Sequence, residues 1–300
     1  MARPSLLSTA EGTSQAAFGA AEWAMVLAIA GIWGSSFFLI AEGLEAFAPA
    51  TVAMLRVALG YATLSCFSAA RAPIASEDRP RVALLGVTWM AFPLVMFPIA
   101  EQWISSSVAG MLNGALPILV AVVASVMLRR LPGRNQIVGM AIGLVGVVCI
   151  ALPTWSGGSS LALGVVCVVA ALCGYAVSGN VSVPLTQRYG SLATQRAVQG
   201  RGLLFLAPFG LWGLRSSHFA WRPLIALAVL GVVGTGLAFM LAGRLFARVG
   251  ATRGAIFTYL IPVVAIVLGV TFRGEIVAPL AVLGTLLVAA GAVACARAGR

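Results

Sequence analysis

The chain has 300 residues, of which 61% are hydrophobic and only 9% charged, and its mean hydropathy is +1.03. Its net charge of +11 comes from arginine alone, with nineteen arginines and no lysine. This composition excludes a soluble globular domain, and because the arginines sit between apolar runs rather than along an aromatic-studded stripe, it also excludes a nucleic-acid binder.

Residues 1–21 carry little hydrophobicity and read as a short tail rather than a cleaved leader. From residue 22 onward, apolar runs long enough to cross a bilayer as helices follow one another with short loops. Ten spans are predicted, at 22–41, 48–70, 82–101, 106–128, 135–152, 162–184, 191–213, 223–246, 251–272 and 277–296. The fold class is therefore all-α, a polytopic membrane protein of ten transmembrane helices.

Orientation follows from the arginines. With the N-terminus inside, the inner segments hold Arg3, Arg71, Arg79, Arg81, Arg129, Arg130, Arg134, Arg188, Arg244, Arg248, Arg253, Arg297 and Arg300, whereas the outer loops hold Arg215, Arg222 and Arg273. Thirteen against three is a positive-inside bias that places both termini in the cytoplasm. Cys66, Cys149, Cys167, Cys173 and Cys295 lie in or near spans, show no metal-ligand spacing and read as small buried hydrophobes.

The spans repeat. A shift of 145 carries Leu85-Gly86-Val87 onto Leu230-Gly231-Val232, Pro117 onto Pro262, Gly139 onto Gly284 and Gly146 onto Gly291. A shift of 140 carries Gly34 onto Gly174, Arg56 onto Arg196 and Gly60 onto Gly200. Each half, 22–152 and 162–297, is a five-span unit, and since five is odd the second unit enters the membrane upside down. Arg130 at the inner end of the fourth span has Glu275 at the outer end of the ninth as its mate, so the charge follows the membrane face. Inverted repeats of this kind are typical of secondary transporters, with the substrate held near the midplane.

Each proline helix carries a small polar residue one turn earlier, Asn113 before Pro117 and Thr258 before Pro262. A mid-helix proline has no N–H for the carbonyl four residues back, and at membrane depth that carbonyl needs another partner. Pro117 and Pro262 are thus predicted hinges, and Asn113 and Thr258 mark a site.

Trp33-Gly34-Ser35-Ser36, Arg56, the two proline helices and the glycine-spaced spans through Gly139-Gly143-Gly146 and Gly284-Gly291 resemble a drug/metabolite transporter of the EamA type. The resemblance covers nearly the whole chain. It implies an exporter or exchanger of small organic metabolites, with amino acids a leading substrate class. The family pattern often places a glutamate after the proline helix in both halves; here Glu275 fits, and Arg130 stands in the other position.

The predicted substrate cavity is lined by Ser35, Trp89, Asn113, Tyr175, Thr235, Thr258 and Tyr259, with Arg56 as a charge partner. Arg56 lies well inside its span, where a charge is costly and by default functional; the blander reading pairs it with Glu42, Glu45 or Glu101. Trp23, Trp103, Trp155, Trp212 and Trp221, near span ends, read as interfacial anchors. Asn180 and Gln199 read equally as interhelical glue. A single histidine, His218, in an outer loop, spans free of aspartate, and the lack of lysine argue against an enzyme, and no cofactor or metal is implied. The expected partners are a small-molecule substrate and the bilayer; the oligomeric state is open, and a monomer suffices. Amphiphile efflux, a channel and a lipid-handling protein are the alternatives. With no acid near the midplane, flux is expected to ignore a pH gradient, Glu101 being the acid to test first.

Overall fold

The computed structural model describes residues 7, 9–14, 18–127, 134–155 and 159–297. Arg130, and with it half of the Arg130–Glu275 comparison, lies outside them, as does the Cys295 side chain. Among the described residues there are helices and no strand. In chain order these are α1 (Ala20–Leu44), α2 (Pro49–Ser65), α3 (Arg79–Leu85), α4 (Phe92–Ala100), α5 (Ser106–Asn113), α6 (Leu116–Met127), α7 (Arg134–Trp155), α8 (Ser159–Tyr189), α9 (Ser191–Gly213), α10 (Trp221–Val229), α11 (Ala238–Val249), α12 (Ala251–Gly254), α13 (Ile261–Arg273) and α14 (Pro279–Arg297).

Six helical stretches are long and apolar enough to cross a membrane: Ala20–Leu44, Ser76–Ala100, Ser106–Met127, Leu161–Tyr189, Trp221–Val249 and Ala251–Arg273. Two shorter apolar helices, Ile137–Pro153 and Pro279–Gly291, join them. The second and seventh predicted spans, α2 and α9, do not reach that standard. α2 has only 17 residues, and α9 carries Arg196, Arg201, Gln195 and Gln199. They lie against each other instead.

Repeat mates pack on one another: α7 along α14, α2 along α9, and the fourth predicted span against the ninth, where α5 meets α13. The α7–α14 contact shows the symmetry residue by residue. A Cβ on Gly146 would stand 2.6 Å from the Gly284 carbonyl oxygen, and one on Gly291 would stand 2.5 Å from that of Gly139. Gly139 is the mate of Gly284 and Gly146 that of Gly291, so the two contacts are one contact turned over, as a twofold axis requires. Only residues without a side chain let the backbones approach this closely.

Each half also breaks its helices at matching places. The third span is α-helical except over Gly86–Ala91, where the turn widens to a π-helix; the eighth widens over Leu230–Leu237. A shift of 145 carries the first segment into the second. Pro93 contributes, because it has no N–H for the Trp89 carbonyl. Such widened turns are frequent at functional sites. The fourth span stops at Asn113 and restarts at Leu116, and the ninth runs as a 3₁₀ stretch over Ala255–Tyr259 before α13 begins at Ile261. Pro117 and Pro262 are therefore not mid-helix. Each is the second residue of a new helix, where a missing N–H leaves no carbonyl bare.

Ion pairs gather at both ends. At the end holding the N-terminal tail, Glu22 meets Arg248 at 2.7 Å and Arg188 meets Glu77 and Asp78 at 2.7 and 2.8 Å. At the other end Arg273 bridges Glu42 and Glu45 at 2.6 and 3.1 Å. Cys66 and Cys173 are exposed on the outer surface of the bundle rather than buried.

Candidate functional site

Between these ends lies a cavity of about 50 Å³. That is room for a few water molecules, since one water needs roughly 10–15 Å³ on this measure. Its wall is aromatic. Trp33 meets Phe239 and Phe257 edge-on, with centroids 4.8 and 5.1 Å away, and Trp89 meets Phe239 at 5.6 Å and stacks on Phe246 at 6.4 Å. Phe97 stacks on Tyr175 at 5.9 Å. The α1 contribution comes from one helix face, Trp33, Ser36, Phe37 and Ile40, at spacings of three, four and seven. The indole N–H of Trp33 donates to the Gly234 carbonyl at 2.9 Å, inside the π-helical turn of the other half.

Into this apolar wall α2 inserts Arg56, whose residue is 3% exposed. Its Nε donates to Thr235 Oγ1 at 3.1 Å, and that hydroxyl donates to the Leu230 carbonyl at 3.1 Å. Gln199 holds the Thr235 carbonyl from the far side at 2.9 Å. Among the described residues no carboxylate lies within ion-pair distance of Arg56. Glu42 is taken by Arg222 and Arg273, and Glu45 by Arg273. A buried guanidinium is costly unless an anion joins it.

Asn113, at the broken end of α5, lines the same cavity, and so do Trp89 and Tyr175. Their amide, indole and phenol groups have no hydrogen-bond partner among the described residues, although each can make one. Arg56, Trp89, Asn113 and Tyr175 are thus brought together around one space. The other predicted residues stand apart from it. The Ser35 hydroxyl turns back to the Ile32 carbonyl at 2.8 Å, and Ser36 faces the cavity in its place. Thr235 supports Arg56 from behind. Thr258 is fully buried with its hydroxyl on the Ala255 carbonyl at 2.7 Å, and Tyr259 is half-buried outside the wall. Pro117 and Pro262 are buried beside the breaks, with Gly114 against the Pro262 ring.

Two acids outside the predicted lining have distinct surroundings. Both carboxylate oxygens of Glu101, the residue that ends α4, are buried and meet no donor among the described residues. The charges acting on it are Glu275, Arg273 and Arg56. Glu275, in the turn between α13 and α14, clasps the start of α5. Its Oε1 accepts from Ser106 N and Oγ at 3.0 and 2.7 Å, and its Oε2 accepts from Ser107 N at 2.9 Å and from Ser107 Oγ. Burial pushes this carboxyl up, but the hydrogen bonds from Ser107 and Ser106 outweigh it and hold the group below its ordinary value.

The model of the EamA-like transporter family matches residues 21–152 and again 159–296. The chain is 29% identical over 277 residues to a probable terminal-alkyne amino-acid exporter of Streptantibioticus cattleyicolor, covering 90% of this chain and 91% of that protein. It is 25% identical over 270 residues to an uncharacterized transporter of Archaeoglobus fulgidus, covering 90% and 96%. It is also 24% identical over 281 residues to a probable amino-acid metabolite efflux pump of Salmonella typhimurium, covering 89% and 92%. A solved protein structure shares the fold at a TM-score of 0.63 and 17% identity, over 91% of this chain and 95% of that one.

Proposed function

The chain belongs to the EamA-like transporter family, and from that membership we propose that it is a secondary transporter of the inner membrane that exports or exchanges amino acids or similar small metabolites. In this reading it crosses the membrane ten times with both termini cytoplasmic, and access to the central cavity alternates between the two faces. One observation supports the substrate class above others: a buried arginine with no carboxylate within ion-pair distance among the described residues faces an aromatic cavity. Arg56 takes the substrate carboxylate, which supplies the missing negative charge through a charge-assisted hydrogen bond. The Asn113 side-chain oxygen accepts from the ammonium, and the rings of Trp89 and Tyr175 attract it electrostatically. The apolar wall of Trp33, Phe239 and Phe257 encloses the side chain.

A cavity with room for a few water molecules is tight for an amino acid with a sizeable side chain, and substrate entry needs an end to open. The clasp of Glu275 on α5 is the outer closure, and the Glu22–Arg248 pair is the inner one. Reconstitution into liposomes tests the reading. Labelled amino acids should show saturable counterflow, inhibited by other α-amino acids and not by the matching amines that lack a carboxylate. Inhibition by the amines alone would reject the role of Arg56, and unsaturable flux without counterflow would indicate a channel.

A further inference from the structure

A second, larger cavity of about 670 Å³, which shares no lining residue with the first, lies between α2, α9 and the 3₁₀ turn Ser68–Arg71. Four arginines line it, Arg71, Arg79, Arg196 and Arg201, and no acidic residue does. The fold pins two of them. Arg196 donates to Ser65 Oγ at 2.9 Å and to Tyr61 Oη at 3.0 Å, with its guanidinium 5.0 Å over the Tyr61 ring. Arg71 donates through Nε and Nη2 to the Ser65 carbonyl at 3.1 and 2.9 Å. Arg79 and Arg201 are exposed and have no partner among the described residues.

The nearby acids are engaged elsewhere, Glu77 with Arg188, and Asp78 with Arg188, Arg81 and Tyr189. Interfacial snorkelling accounts for arginines singly, each reaching toward water. It does not account for four that converge on one acid-free pocket, two of them held there by hydrogen bonds. Like charges so gathered repel, and an anion relieves them. Guanidinium forks suit phosphate oxygens, which they can bind two at a time.

The pocket wall also indicates where the phosphate comes from. α9 contributes Leu203 and Leu204 to it, and Leu204 and Phe205 are 65% and 47% exposed on the outside of the bundle. An acyl chain leaving the pocket would lie along that apolar surface. Basic pockets between membrane helices at the level of the headgroups take anionic lipids. We propose that this pocket binds the phosphate headgroup of an anionic phospholipid from the leaflet on the arginine-rich side. The proposal stands independently of the transport reading.

The test uses the full chain in neutral detergent, titrated with phosphatidylglycerol, phosphatidylcholine or soluble glycerol 3-phosphate and followed by native mass spectrometry and thermal unfolding. Phosphatidylglycerol should bind as a discrete adduct and raise Tm, and phosphatidylcholine should do neither. The double variant Arg79→Gln/Arg201→Gln touches only unpartnered side chains, so it should keep its lipid-free Tm and lose at least tenfold in phosphatidylglycerol affinity. Arg215→Gln, at the opposite end, should bind as the parent does. Undiminished binding by the double variant would overturn the site. Displacement of the lipid by equimolar glycerol 3-phosphate would overturn the lipid as its occupant.

Discussion

Replacing Glu275 by glutamine tests the outer closure, and the structure sets the size of the effect. The carboxylate accepts four hydrogen bonds from the first turn of α5, two on each oxygen. Glutamine keeps one oxygen for one serine and turns an NH₂ toward the other. A serine hydroxyl can rotate to accept from that NH₂, but a backbone N–H cannot. The substitution thus removes one hydrogen bond outright and the charge from the rest. Hydrogen bonds to a charged group contribute about 1.5–3 kcal/mol each. Allowing for the group's partial exposure, 11% for the side chain, the closed state should lose roughly 2–3 kcal/mol, or about 30- to 150-fold in the closed-to-open ratio.

Spin labels at Gln102 and Ile276, both exposed and flanking the Glu275 clasp in the chain, in a background without native cysteines, report the opening as a pulsed-EPR distance distribution. Glu275→Gln should populate a longer distance that the parent barely shows. The pH dependence gives a second check. Because the clasp holds the Glu275 carboxyl below its ordinary 4.5, closure is at full strength above that value and is lost as pH falls through the lowered one. The parent should therefore open only in acid, and the variant should show no such step. Identical distributions for parent and variant would refute the clasp as a closure.

Three further outcomes follow from the geometry. Gly284→Ala puts a Cβ 2.6 Å from the Gly146 carbonyl and should cost about 1–3 kcal/mol by overpacking, seen as a lower Tm, whereas Gly31→Ala, with open space around it, should be neutral. Pro117→Ala should fold and transport nearly as the parent does, within about 1 kcal/mol in Tm-derived stability, because a first-turn proline withholds no needed N–H. An imposed pH gradient should alter flux with a sign that reverses with the gradient, and Glu101→Gln should abolish the response, since two buried, donorless carboxylate oxygens are costly unless protonated. Parent flux indifferent to the gradient would show that Glu101 takes no part in coupling.

What could be read from the sequence was whatever leaves a mark on residue type. Arg56 stood out because a charge inside an apolar run is rare, and Asn113, Trp89 and Tyr175 because each brings a polar tip to membrane depth. Glycines at matching intervals marked the repeat, since close backbone approach tolerates little else. Pro117 and Pro262 stand at helix restarts, and a proline position alone cannot distinguish a kink from a break. Phe239, Phe246 and Phe257 were invisible among fourteen phenylalanines, because in a membrane helix a cavity wall and a lipid-facing wall have the same chemistry. The Trp33, Ser36, Phe37 and Ile40 face had a helical period, but α1 is apolar nearly all round and the period is drowned. Its place in the chain puts Glu101 just past the end of α4. Only the packed structure shows its carboxylate turned inward.

Whether Arg56 holds the substrate carboxylate is decided by one comparison. Counterflow in proteoliposomes is inhibited in turn by an amino acid and by its carboxamide, with the parent and with Arg56→Gln. A charge-assisted bond of about 1.5–3 kcal/mol predicts that the parent prefers the free acid by roughly 10- to 150-fold. In Arg56→Gln that preference should vanish, with the residual affinity for the carboxamide unchanged. If the variant still discriminates as the parent does, the carboxylate is bound elsewhere, and the buried arginine belongs to the scaffold and not to the site.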